Sequence, residues 1–445
     1  MTLNLRFLCL LPLLAVLLTE PALNALYLGK EPQGGAGKGL EYALLGFSVL
    51  AVLAYYRYLE GYMRAWFWAV LGTALALALE SYARWHTWAV YPHVFAKLTV
   101  LLPLFGLYAF YRRYPPPPFR QLVAVLLPAL LLSLFLIYPE ALSLSSFLET
   151  ERGFSVTAAY LLLPVALLCL NSYLTANDLL GGLVFLLCVA LIVFLQHRTV
   201  WVCTTVAVAV DVLLVALRAA TGRPWASRLA VLGALGLGLG LVSGLAVVLD
   251  NPEVVRKLAT SIADIEHPTT QGTGTFRLEQ YRSYLPLVQE RPLAGWRLQG
   301  FEVPIQFYSL DSGEPVWPDF TGHHFHSFYL DRMFFFGVLG VLLVLAVPVA
   351  VLGRRLFRRA PLGADTAALL AYAVTFLVFG LSYDWPPYLY GVLGLVLALT
   401  SRLAPAPLVP PAPRRRAARP AAVLFPAPSH PAPLAAARPF YAPAP

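Results

Sequence analysis

The stretch "GHHFHSFYLDRMFFFGVLGVLLVLAVPVAVLGRR", residues Gly322 to Arg355, decides the fold. Three of the chain's eight histidines stand directly ahead of a long apolar run that ends in paired arginines. A helix needs roughly 17–25 predominantly apolar residues to cross ~30 Å of hydrocarbon, and this run supplies them. Its two ends therefore face different chemistry, histidine on one side of a bilayer and arginine on the other.

Composition extends that reading to the whole chain. With 445 residues, 59% hydrophobic and 12% charged, and a mean hydropathy of +0.69, there is more apolar surface than an aqueous core can hide. The expected fold class is an all-α polytopic membrane protein of about twelve transmembrane helices with one large periplasmic loop. Spans are predicted near 7–28, 40–56, 65–80, 94–111, 121–138, 155–172, 179–195, 199–217, 228–249, 326–352, 365–381 and 386–402. The corresponding divisions are 1–249 for the first nine helices, 250–325 for the loop, 326–402 for the last three helices, and 403–445 for a disordered Pro/Ala/Arg-rich tail.

Orientation follows from basic residues, because short positively charged loops stay cytoplasmic. Alternate connections carry Arg57 and Arg64; Arg112, Arg113 and Arg120; Arg218, Arg223 and Arg228; and Arg354, Arg355, Arg358 and Arg359. The intervening ones are sparser, with Lys30, Lys38, Arg84, Arg152 and Arg198. Both termini are predicted cytoplasmic. The opening "LRFLCLLPLLAVLLTEPALNA" can also be read as a signal peptide, with Arg6 ahead of a short apolar core, and either reading leaves the next residues outside. The net charge of +9 serves orientation and attraction to anionic lipids rather than nucleic acid. Cys9, Cys169, Cys188 and Cys203 fall inside apolar spans, where they pack; no disulfide or zinc spacing is present.

The connection 250–325 is long and rich in aromatics, including Trp296, Phe301, Phe307, Tyr308, Trp317 and Phe320, and reads as a folded cap. Within "QGTGTFRLEQYRSYLPLVQERPLAGW" an amphipathic helix is predicted, with Arg277, Tyr281, Tyr284 and Val288 on one face. A cation in a first helical turn is disfavoured by the dipole unless an anion sits there, and phosphate suits both a guanidinium and free N–H groups. A surface arginine paired with Glu279 or Glu253 is the plainer account. Arg198 in "LIVFLQHRTVWVCTTV" is held at the outer membrane surface, where snorkelling to headgroups would look the same.

At 100° per residue His326, Gly337 and Gly340 share one helix face, and small residues there let a neighbouring backbone approach closely. His326 is thus expected at the water boundary on a helix locked against the bundle, as a general base requires. His323 and His324 read as flanking loop residues. A metal held by "HHFH" is the alternative, with no carboxylate or cysteine at familiar spacing. Asp384 in "LSYDWPPYLYG" can orient His326, neutralise an arginine or cap a helix. Asp211 is expected to bond within the bundle. Lys97, Glu80 and Arg84 lie near outer span ends, and Gly236, Gly240 and Gly244 suit close helix packing.

These segments together resemble the O-antigen ligase and polymerase family of bacterial inner-membrane glycosyltransferases. "HSFYLDRMFFFGVLG" fits the ligase pattern of His, then Asn, Ser or Gln, nine residues, then Gly-x-x-Gly. "HRTVW" is similar to the arginine motif opening the family's central domain, and the outer-loop segment to its arginine followed by Pro-Leu-x-Gly. The resemblance implies a GT-C-like frame and transfer of a glycan from an undecaprenyl-diphosphate carrier to lipid A-core or another sugar hydroxyl on the periplasmic side. It implies no metal and no cofactor. Carried over by motif, His326 would be the base, and Arg198 and Arg277 would hold the diphosphate. Asp384, His324 and Arg282 complete the candidate substrate-binding set. Ser327 stands where many relatives have Asn. A repeat-unit polymerase is the alternative within the family, a protein O-oligosaccharyltransferase is a third relative, and a lipid-linked sugar transporter is the reading from another class.

Overall fold

In hydrocarbon each backbone N–H and C=O must be satisfied within its own segment, so the apolar stretches of this chain have no option but helix. In the computed structural model they form it. The structure describes residues 5–30, 36–148, 153–219, 224–251, 253–266, 273–309, 312–316, 323–358 and 360–401. The predicted tail from 403, and the loop aromatics Trp317 and Phe320, lie outside the described residues.

The helices in order are α1 (Leu5–Leu8), α2 (Leu11–Leu17), α3 (Pro21–Leu28), α4 (Ala36–Tyr55), α5 (Gly61–Trp85), α6 (Pro92–Thr99) and α7 (Leu102–Arg113). There follow α8 (Phe119–Leu132), α9 (Leu144–Leu148), α10 (Val156–Ala176), α11 (Leu179–Phe194), α12 (Arg198–Leu214) and α13 (Trp225–Asp250). The last are α14 (Glu253–Glu266), α15 (Thr273–Glu290), α16 (Phe328–Phe357), α17 (Ala364–Ser382) and α18 (Pro387–Ser401). Among the described residues the one β feature is an isolated bridge between Tyr308 and Pro315.

The predicted spans all fall on helices, but 7–28 is divided over α1 to α3 and 94–111 over α6 and α7. Among the described residues eight segments are long and apolar enough to cross a membrane, and α2 with α3, bent by 94°, count as a ninth if the pair is one span. α11, α18 and the Trp225–Leu241 part of α13 are apolar but shorter. The bend after α2 is held from within: buried Glu20 accepts hydrogen bonds from Ser155 Oγ (2.7 Å) and Thr157 Oγ1 (3.0 Å). The protein is a multi-pass membrane protein.

The centre of the bundle is α7, α10, α17 and α18, whose side chains are buried on nearly every face. Peripheral helices show leucines outward, such as Leu180, Leu237 and Leu241 at about 70% exposure, which is the signature of a surface facing lipid. The four cysteines are free and buried. Asp211 is also buried and receives a 2.8 Å hydrogen bond from Asn171 Nδ2. A Cβ on Gly236 would stand 3.1 Å from Leu186 Cδ2, closer than ordinary contact, whereas Gly240 faces open space, so the expected close packing holds at one of these two.

In the connection between α13 and α16 the described residues include α14, α15 and a 3-10 turn at Arg297–Phe301. α15 buries Gln280, Tyr284 and Val288 along one side. Its following turn, Pro292 to Gly295, is inserted into α16. That helix is broken at Gly337 (φ +62°), and the N–H groups of Val338 and Leu339 turn to Pro292 O (2.8 Å) and Leu293 O (3.1 Å). Trp296 N in return donates to Phe334 O at 2.9 Å. Two glycines make the joint feasible. A Cβ on Gly337 would stand 2.6 Å from Pro292 O, and one on Gly295 (φ +60°) would stand 2.6 Å from Phe334 O.

This corrects the reading of His326 as a helix residue. α16 begins at Phe328 with Ser327 as its N-cap, so His326 precedes the helix. The break at Gly337 also invalidates a 100° count carried across it. Gly337 does admit a backbone, as expected of it, but the backbone belongs to the outer-loop turn.

Candidate functional site

Segment 323–327 is extended and pinned by α15. The buried Gln280 amide clamps it, Nε2 donating to His324 O (2.7 Å) and Oε1 accepting from His326 N (3.2 Å). The next residue, Tyr281, hydrogen-bonds Ser327 Oγ, which itself donates to Gly380 O (3.1 Å) and accepts from Leu330 N (3.4 Å). Ser327 therefore caps α16, and Asn, the residue common in relatives, is an equally favoured cap. His323 is tied on both nitrogens, to Tyr284 Oη (2.6 Å) and Val303 O (2.9 Å). That fixes a neutral tautomer and leaves no nitrogen for a metal. Among the described residues no group of three or more His, Cys, Asp or Glu is placed to hold one.

His326 and Arg277 meet at Tyr383. Arg277 Nε donates to Ser382 O (3.1 Å), and its guanidinium lies 4.8 Å from the Tyr383 ring centre. The His326 ring is 6.4 Å from the same ring and 5.5 Å from Phe276. α15 opens at Thr273, so Arg277 sits in its second turn rather than in the first. Burial lowers the His326 pKa below the ordinary histidine value, and the Arg277 charge and then His324 lower it further. The half-buried imidazole is thus neutral at neutral pH and stands beside a guanidinium. A base next to an anion-binding group is what this arrangement offers.

Arg198 opens α12. The turn before it is held by Gln196 in a left-handed conformation (φ +54°), by Gln196 Nε2 to Phe147 O (2.5 Å), and by His197 Nε2 with Phe154 O (2.9 Å). α12 packs antiparallel on α17, with Cys203 Sγ 3.8 Å from Thr375 O. Arg198 lies ~7.5 Å up its helix from that contact and Ser382 ~10.5 Å up the other, at 1.5 Å per residue. Arg198 and Arg277 thus occupy the same end of the bundle. The arginine-rich end is the opposite one, where Arg218 binds Ala360 O (3.0 Å) and Arg355 O (2.9 Å).

The remaining candidates separate. His324 is exposed and within electrostatic reach of His326, Lys97 and Asp331. Asp384 faces Arg332 (3.8 Å) and accepts from Trp385 N (2.8 Å), so it neutralises an arginine and does not orient His326. Arg282 is exposed, turned ~200° from Tyr284 on the same helix, and takes no part in the cluster. Glu253 pairs with Arg256 at 3.5 Å. Glu80 pairs with Arg297 at 2.7 Å and Arg84 at 4.0 Å.

Sequence reasoning missed three features. One is the Gln280 clamp, and another is Tyr383 as the shared floor of Arg277 and His326. The third is a buried charge network in which Asp331 pairs with both Lys97 and Arg332. Arg332, 2% exposed, also reaches Tyr390 Oη at 2.9 Å. The signal was available: adjacent Asp and Arg inside an apolar run are costly unless they are partnered.

Comparison with known families adds one match. The family model described as O-Antigen ligase covers residues 183–345, a range that contains Arg198, Arg277 and His326 and ends within α16. No curated protein matches the chain.

Proposed function

Because a family model described as O-Antigen ligase matches residues 183–345, we propose that this protein is an inner-membrane glycosyltransferase. It moves a glycan from undecaprenyl diphosphate to a sugar hydroxyl of lipid A-core or a similar acceptor at the periplasmic face. The observation that supports this most is the meeting of Arg277 and a neutral His326 over Tyr383. The acceptor oxygen attacks the anomeric carbon while its proton passes to the His326 imidazole. The bond from that carbon to the phosphate oxygen breaks, and the electron pair leaves with the diphosphate. Arg277 and Arg198 take up the charge that develops there, as fixed cations in a site shielded from water do effectively. Attack from the face opposite the departing phosphate inverts the anomeric centre.

The test uses purified protein with carrier-linked glycan and acceptor. His326→Ala is expected to reduce turnover by at least ~10³-fold, within the range of a lost general base, with the helical content of the protein unchanged. Full turnover in that variant removes the base role. Deleting the protein in cells separates ligase from polymerase: carrier-linked polymer persists if the step is ligation, and single repeat units accumulate if it is polymerisation.

A further inference from the structure

An apolar cavity of about 850 Å³ runs between α5 and the part of α16 that follows the Gly337 break. Small residues Ala65, Ala69, Thr73 and Ala76 floor it on α5, and Leu339 and Leu343 wall it on α16. Its lining extends from Tyr62 to Glu80, ~27 Å of helix, which nearly matches the ~30 Å of bilayer hydrocarbon. Ala69 and Leu339 are exposed, so the groove opens sideways where lipid would be.

One end is chemically distinct. Arg297 and Glu80 pair there, and next to them stands a partly exposed aromatic ledge. Phe301 lies 4.4 Å from Tyr91 and 4.7 Å from His93, and Trp85 lies 5.9 Å from Tyr91. Glu302 Oε1 holds the ledge together, accepting from Trp85 Nε1 (3.0 Å) and Tyr91 Oη (2.8 Å). A diphosphate would be repelled by Glu80 and Glu302. Sugars suit the same surface, since their C–H faces stack on aromatic rings and their hydroxyls donate to carboxylates. The ledge also continues toward the base. His93 packs on Phe335 at 6.3 Å, Lys97 sits over that ring at 4.6 Å, and Lys97 is within electrostatic reach of His324, which is within reach of His326.

We propose that this groove and ledge bind the acceptor, a glycolipid with its acyl chains along α5 and its sugars against Tyr91 and Phe301. The proposal rests on the glycan-transfer reading and gives it a second lipid site, away from the Arg277 face of His326. The donor's carrier lies elsewhere.

The test uses the full chain in nanodiscs with two acceptors, lipid A bearing a core oligosaccharide and the same oligosaccharide freed of its acyl chains. Ala69→Trp fills the groove at an exposed position. It is expected to raise KM for the acylated acceptor by about 10-fold, equivalent to about two methylenes left in water. Donor KM and turnover of the deacylated acceptor stay unchanged. Phe301→Ala is expected to raise KM for both acceptors. A raised donor KM in Ala69→Trp, or an unchanged KM for the acylated acceptor, overturns the assignment.

A binding readout independent of activity places a photo-crosslinking benzophenone side chain at position 69. Capture of the acylated acceptor in the presence of excess phosphatidylglycerol supports the proposal. Equal displacement by phosphatidylglycerol overturns it, because the groove then holds ordinary membrane lipid. Selective capture without glycan transfer supports the site and sinks the glycan-transfer reading alone.

Discussion

At the residue scale, Gln280 shows how one amide can fix the backbone that carries the proposed base. Its two hydrogen bonds flank Phe325 and hold the backbone on both sides of it, so the His326 ring starts from a fixed point. Removing the amide leaves His324 O and His326 N without that partner, a loss of about 1–3 kcal/mol. Gln280→Ala is expected to lower kcat roughly 10–100-fold with donor KM little changed, and a steady-state comparison that shows equal kcat refutes the positioning role. The protonation of His326 gives a second check. Because burial and then Arg277 hold its pKa below the usual value, the neutral base is present throughout the neutral range. Activity should therefore fall only on the acid side, below the ordinary histidine pKa of ~6.5. Arg277→Met removes the repelling charge and raises the His326 pKa, so the acid limb of the residual activity should shift to higher pH. A profile of kcat/KM against pH in both proteins decides it.

At the element scale, α16 matters most, since it links the histidine segment to the bilayer and is not one continuous helix. The sequence pattern contains both Gly337 and the Pro-Leu-x-Gly turn as separate marks; in the structure they are two sides of one joint. Gly337→Ala asks a side chain to occupy a left-handed conformation already filled by Pro292 and is expected to cost at least about 2 kcal/mol. Gly295→Ala should cost a similar amount. If the joint is a unit, the double variant loses less than the sum of the two; strict additivity in denaturant melts would argue that they act separately. The joint was not legible because periodicity arguments assume unbroken φ and ψ. The position of α15, by contrast, was partly readable: of Arg277, Tyr281, Tyr284 and Val288 the last two are buried and the first two half-buried, while the buried Gln280 was not marked by that spacing.

At the scale of the whole molecule, hydropathy located the helices because length and apolarity are local properties, whereas partners drawn from distant segments escaped it. Arg332 is the clear case: besides its chain neighbour Asp331 it meets Asp384 and Tyr390 from the segment around the start of α18, and Lys97 of α6 joins Asp331. The segregation of arginines to the end opposite His326 permits a direct test of orientation. The native cysteines are buried and should stay silent toward an impermeant maleimide. Ser312→Cys is expected to label in intact spheroplasts and Gly353→Cys only after permeabilisation, and the reverse pattern would invert the topology. The plugged break in α16 also bears on biogenesis. Pro292 and Leu293 leave the ribosome well before Val338 and Leu339, so the acceptors exist before the donors that need them. Until the turn docks, the nascent span carries two amide protons that its own coil leaves without a carbonyl, a costly state in lipid. Maturation of this span is thereby made conditional on folding of the segment synthesised before it, and nascent chains with a disrupted turn become natural targets for membrane quality control.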